Sequence, residues 1–97
     1  MITGVELIAA ERQRQIEAEG YTSDRDDAMT DEQLTYAALC YLLYETEGFE
    51  WNLWPWDHRQ FKPKNTASNL VRAGALIAAE IDRLQRVAKV TDHEHQA

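Results

Sequence analysis

The chain has 97 residues, 44 % of them hydrophobic and 28 % charged, and a formal net charge of -7. That is material for one modest core and too apolar for a disordered chain, and its acidity speaks against non-specific duplex DNA binding, which rests on neutralising phosphates. No apolar run approaches the roughly 20 residues that cross a bilayer. Met1 to Glu6 has neither the basic start nor the apolar core of a secretory signal, and a lone Cys40 allows no internal disulfide and fits a reducing cytosol. The expectation is a cytoplasmic protein away from membranes, with one helical domain over residues 1–90 and a polar, disordered tail at 91–97. Charge is unevenly spread. Residues 1–57 hold 13 acids against Arg12, Arg14 and Arg25, a net -10, whereas residues 58–91 come to +5.

The first helix is expected from Thr3, because Thr3-Gly-Val-Glu6 matches a capping box, and it should stop at Gly20. Its apolar positions Val5, Ile8, Ala9 and Ile16 form a weak stripe interrupted by Arg12 and Gln15. A polar loop follows from Tyr21 to Met29. Thr30-Asp-Glu-Gln33 then reads as a second capping box, opening a helix that is apolar nearly all round from Leu34 to Tyr44 and is stopped by Gly48. Such a helix is expected at the centre of the fold. The third helix should begin near Asn65 or Thr66 and run to about Val87. Leu70, Gly74, Ile77, Ile81, Leu84 and Ala88 step by alternate fours and threes, a seam of the coiled-coil type. Glycine inside that seam points to the close approach of another backbone. Val71, Ala75, Leu76 and Ala79 lie off the seam, an apolar excess that predicts a homodimer through this helix. No stretch alternates as a strand does, so the fold class is all-α: a compact bundle of three main helices.

Before the last helix lies the most unusual segment. Residues 51–64 hold all three tryptophans and both prolines, and neither Pro55 nor Pro63 suits a helix interior. Trp54, Trp56 and Phe61 offer flat apolar faces, with Asp57, Arg59 and Lys62 beside them. Such a loop either lids a thin core or presents a contact surface, since protein hot spots are rich in Trp and Arg. Stacking rings with cations also suit a nucleotide. The reading adopted is a binding surface of Trp54, Trp56, Asp57, Arg59, Phe61 and Lys62, bordered by Asp26 and Asp27.

Chemistry beyond binding finds little support. Asp24, Asp26 and Asp27 lack the ligand alternation and central glycine of a calcium loop. His93 and His95 lack further zinc ligands, and His58 is the one histidine inside the ordered-looking chain. All-α nucleotide pyrophosphohydrolases are similar in size and helicity and bind magnesium through an E-x-x-E pair and a later E-x-x-D pair. Here Glu47-Gly-Phe-Glu50 lies at a glycine-broken helix end, and Glu80-Ile-Asp-Arg83 puts arginine where the second acid belongs. No catalytic residue, metal or cofactor is assigned.

Three segments together resemble a widespread group of small phage and prophage proteins. They are Glu11-Arg-Gln-Arg14-Gln with Gly20-Tyr21-Thr22 and Asp26-Asp27; Trp54-Pro55-Trp56-Asp57 with Lys62-Pro63; and Asn69-Leu-Val-Arg72-Ala-Gly74 through Leu84. The resemblance covers about residues 8–86 and implies a viral or prophage accessory protein without an established activity. A fainter likeness joins Arg14 through Asp27 to ryanodine-receptor repeat domains. Tyr21 stands where those repeats carry tryptophan and their proline-rich continuation is missing, so nothing is carried over from it. The expected function is therefore non-catalytic binding of a host or viral protein, or of a second copy. A nucleotide-binding or pyrophosphohydrolase-like protein is the alternative.

Overall fold

The computed structural model describes the backbone of residues 1–96 and the side chains of residues 1–89, and the last helix runs on to Gln96, past its expected end near Val87 and through the segment expected as a tail. Four helices account for the architecture: α1 (Gly4–Glu19), α2 (Ser23–Asp27), α3 (Gln33–Tyr44) and α4 (Thr66–Gln96), with single 3-10 turns at Trp51–Leu53 and His58–Gln60. No strand occurs among the described residues, and the fold class is all-α.

Local chemistry sets the ends of α1. The Thr3 hydroxyl accepts the Glu6 N–H at 3.2 Å, and the Glu6 carboxylate accepts the Thr3 N–H at 3.1 Å. These bonds serve orphan amides of the first turn. Gly20 closes the helix in the left-handed region at φ 75. The weak apolar stripe packs only in part, through the half-buried Ile8 and Ile16. Val5 is 78 % exposed, and the one buried residue of α1 is Gln15.

Residues 23–27, expected as loop, form the short α2, started by the Thr22 hydroxyl accepting the Arg25 N–H at 3.3 Å. The second capping box does not form. Glu32 occupies the N-cap at φ 64, a conformation in which its neighbour Gln33 turns back to accept the Asp31 N–H at 2.7 Å, so α3 begins two residues later than the box predicts. At the other end Glu47, not Gly48, takes the left-handed conformation, and the Gly48 N–H bonds the Leu43 carbonyl at 3.0 Å.

The centre of the fold is α4, which packs against α1, α2 and α3. Its inner face carries Ala73, Ala75, Leu76 and Ala79, all at most 1 % exposed. Those alanines let α1 and α3 approach from two sides. Against expectation, the seam points outward: Leu70, Ile77, Ile81 and Leu84 are 43–51 % exposed. The off-seam residues are the ones the core uses. Polar groups are interior as well. Asn69, fully buried, receives the Lys64 N–H at 2.7 Å and donates to Glu45 at 2.6 Å, joining the start of α4 to the end of α3.

Candidate functional site

The tryptophan-proline loop folds back on the core. Trp54, held extended before Pro55 as a pre-proline residue requires, is 6 % exposed and donates its indole N–H to the Asp57 carbonyl at 2.9 Å. Its ring stands edge-on to Tyr41 and to Trp56 at centroid separations of 5.9 and 5.4 Å. Phe61 is also buried, stacked on Phe49 at 4.7 Å and tilted against Tyr41 at 4.8 Å. The Tyr41 hydroxyl accepts the Lys62 N–H at 3.1 Å, fastening the loop to α3. Trp54 and Phe61 are therefore the core lid, because edge and offset contacts among five rings bury more area than a bare loop could.

The expected surface is accordingly divided. Asp57 and Arg59 face solvent and pair with each other at 3.0 Å; the Arg59 side chain and backbone hydrogen bonds bring the Asp57 carboxyl down to about 2. Trp51 stacks on His58 at 4.2 Å beside them. Trp56 is half-buried, and with Tyr21 it holds the Arg25 guanidinium at 4.3 and 4.0 Å from the two rings. Asp26 is interior, not a border. Fully buried, it meets Arg12 at 3.3 Å and Arg25 at 3.8 Å, and burial raises its carboxyl above the ordinary value against the pull of those arginines and Arg86. Asp27 pairs with Arg86 of α4 at 2.8 Å. These acids anchor α2 to its neighbours.

One recess, a groove of about 270 Å³ with charged walls between α1 and the start of α4, is lined by Leu7, Glu11, Arg14, Lys64, Val71 and Arg72. Two others bear on function. The first is small and charged, bounded by α1, α4 and the loop. Arg14 donates to both oxygens of Glu11 at 2.6 and 2.9 Å and reaches Glu19 at 3.3 Å, while Lys62 approaches Glu19 at 3.5 Å. Burial lifts the Glu11 carboxyl, yet the hydrogen bond and charge of Arg14, with Gln15 and Arg72 added, hold it below the ordinary range. Gln15 Oε1 and Arg72 Nη1 are buried without partners in this recess, above Tyr21, Tyr41 and Trp54. Its free volume is about 10 Å³, room for roughly one water.

The second recess is apolar and open, a groove of about 270 Å³ between α3 and α4. Leu39 and Leu42 form one wall, Ile77 and Ile81 the other, with Ala38 between them. Glu80 at its edge is 9 % exposed and hydrogen-bonded by Arg83 of its own helix. Leu70 and Leu84 of the same α4 seam are exposed as well.

No protein-family model, curated protein or solved structure matches this chain. Cys40 is fully buried and burial pushes its thiol up to about 11, so it is no nucleophile near neutrality. Among the described residues no group of three or more His, Cys, Asp or Glu is placed to hold a metal ion, and no helix is long and apolar enough to cross a membrane. Lys62 and Trp54 are the expected site residues that reach the charged recess. Sequence reasoning missed Glu11, Arg14, Gln15 and Arg72 there, for they looked like ordinary helix surface. It likewise missed Leu39 and Leu42, which sat in a helix expected to be buried throughout.

Proposed function

We propose that this chain is a non-catalytic binding protein, of the phage or prophage accessory kind its motifs resemble, and that it engages a protein partner through the open face between α3 and α4. One observation carries the reading: large aliphatic side chains from two helices stand about half exposed around a single groove. Folding alone gives no reason to leave them in water, because each leucine or isoleucine exposed to this degree forgoes about 0.5–1.5 kcal/mol of burial. Exposed apolar surface gathered into one patch marks an interaction site more often than the same residues scattered singly. The aromatic loop serves this face indirectly, by closing the opposite side of the core.

Nile red, a neutral apolar dye, tests the reading without charge effects. At low nanomolar protein, where no second copy covers the face, its fluorescence should rise with the native protein and fall to the buffer level with Ile77→Glu/Ile81→Glu, while Arg59→Ala behaves as wild type. Equal dye binding by all three would contradict it.

A nucleotide ligand is the second reading, favoured by the unpartnered Arg72 Nη1 and Gln15 Oε1 above three aromatic rings. A nucleotide would have to displace Lys62 and Gln60 from the mouth of so small a recess. Thermal unfolding with a panel of nucleotides decides: a bound ligand raises the midpoint by mass action, and Arg72→Ala should abolish the rise.

A further inference from the structure

We infer that the occupant of the α3–α4 face is a second copy of this chain, forming a two-fold dimer centred on Ile77 and Ile81. The inference rests on the reading of that face as a docking surface and adds the identity of the partner.

The first argument is chemical. Leu39, Leu42, Leu70, Ile77, Ile81 and Leu84 are exposed aliphatic side chains on a molecule whose formal charge is -7, and Glu80 is the one charged side chain that lines the groove among them. On this strip copies can approach without bringing exposed acids together, because Glu80 at its edge is 9 % exposed and hydrogen-bonded by Arg83. What complements an aliphatic strip is another aliphatic strip. An isologous contact supplies one, since each subunit presents the same patch to its mate.

Area gives the second argument. The six side chains, at 36–51 % exposure, leave on the order of 500 Å² of apolar surface uncovered. A standard interface buries about 800 Å² on each partner, and homodimer interfaces are about 65 % apolar, which corresponds to roughly 500 Å² of apolar area. The patch has the size and composition that a closed dimer uses.

Spacing supplies the third. Ile77, Ile81 and Leu84 follow the alternate four and three steps by which helices interlock side chains across a seam. Among the described residues these three side chains stay 43–51 % exposed, while the inner face of α4 packs through Ala73, Ala75, Leu76 and Ala79. Around the two-fold axis, Ile77 and Ile81 of one subunit meet the same pair of the other, and Leu42 of α3 closes over the edge.

Light scattering coupled to gel filtration tests this on the full chain from micromolar to about 100 μM, a range in which interfaces of this size pair. Wild type should elute at twice 11.2 kDa, and Ile77→Glu/Ile81→Glu at 11.2 kDa with an unchanged helical circular dichroism spectrum. Self-association should weaken by at least about a hundredfold, since an unpaired charge would be buried in the interface. If the double variant loses its helical spectrum, Leu84→Gln, a neutral change at an exposed position, takes its place and should weaken pairing by about tenfold. A wild-type mass of 11.2 kDa throughout overturns the dimer, as does a double variant that keeps the dimer mass. Nile red then separates the two readings. A monomeric wild type that binds the dye at Ile77 and Ile81 leaves the face as a docking surface for a different protein, whereas a monomer that binds none removes both.

Discussion

Ile8 of α1 stands over Gly74 of α4 so closely that a β-carbon built on the glycine would lie 2.6 Å from Ile8 Cδ1 and 2.9 Å from Cγ1. The glycine is where the two helices touch, and a stiff β-branched side chain fills the notch. Adding a methyl sets overpacking of about 1–3 kcal/mol against a helix-propensity gain of about 1 kcal/mol, so Gly74→Ala should lose about 1 kcal/mol. In an Ile8→Ala background the crowding is gone and the same substitution should stabilise by about 1 kcal/mol. Urea unfolding of the four proteins measures both numbers; a stabilised Gly74→Ala in the parent would mean that the contact is open.

Trp54 and Arg59 lie five residues apart on one loop and should respond oppositely to truncation. Trp54 is enclosed by Tyr41, Trp56 and Phe61, and Trp54→Ala should cost about 3–5 kcal/mol in urea unfolding, as buried aromatics do. Arg59, whose side chain is 91 % exposed, should change stability by no more than about 0.5 kcal/mol when replaced by alanine. Similar losses for both would show that the loop is fastened from its outer side.

Two carboxyls give the stability a pH signature of opposite sign. Glu11 is held below its ordinary value of 4.5 in the fold, so its contribution is complete above that pH and is lost as the pH falls through its folded value. Asp26 is raised above 3.8, so the fold takes up that proton before the unfolded chain does, and stability rises as the pH falls through its folded value. Glu11→Gln should therefore flatten the acid loss and Asp26→Asn should steepen it. Thermal midpoints between pH 3 and 7 read both slopes, and the same slope change in the two variants would be inconsistent with these signs.

What the sequence made legible was local. The Thr3–Glu6 box and Gly20 were readable because their partners are within a turn, and the same is true of the α4 start, where Asn65 accepts the Ser68 N–H at 2.9 Å. The Thr30 box had the right letters, but Glu32 adopts a left-handed conformation that breaks it, a choice made by the route of the chain rather than by spacing. Direction was the larger loss. A seam of fours and threes looks the same whether it faces a core or a partner, and only the position of α1 and α3 shows that the alanines face inward. Asn69 and Arg72 read as surface for a related reason: their partners Glu45 and Glu11 arrive from elsewhere in the fold. For the aromatic loop, residue types alone left lid and contact surface open, and burial of Trp54 and Phe61 decides for those two side chains.

The claim that the uncovered α3–α4 face is the working interface is tested most directly by methyl NMR over a dilution series. Leu39, Leu42, Ile77, Ile81 and Leu84 methyl signals should shift with protein concentration along one binding curve, while the Trp51 indole and the Ala67 methyl stay in place. Shifts concentrated at Trp51, His58 and Arg59, with the Ile77 and Ile81 signals unmoved, would contradict the account and return the interface to the aromatic loop.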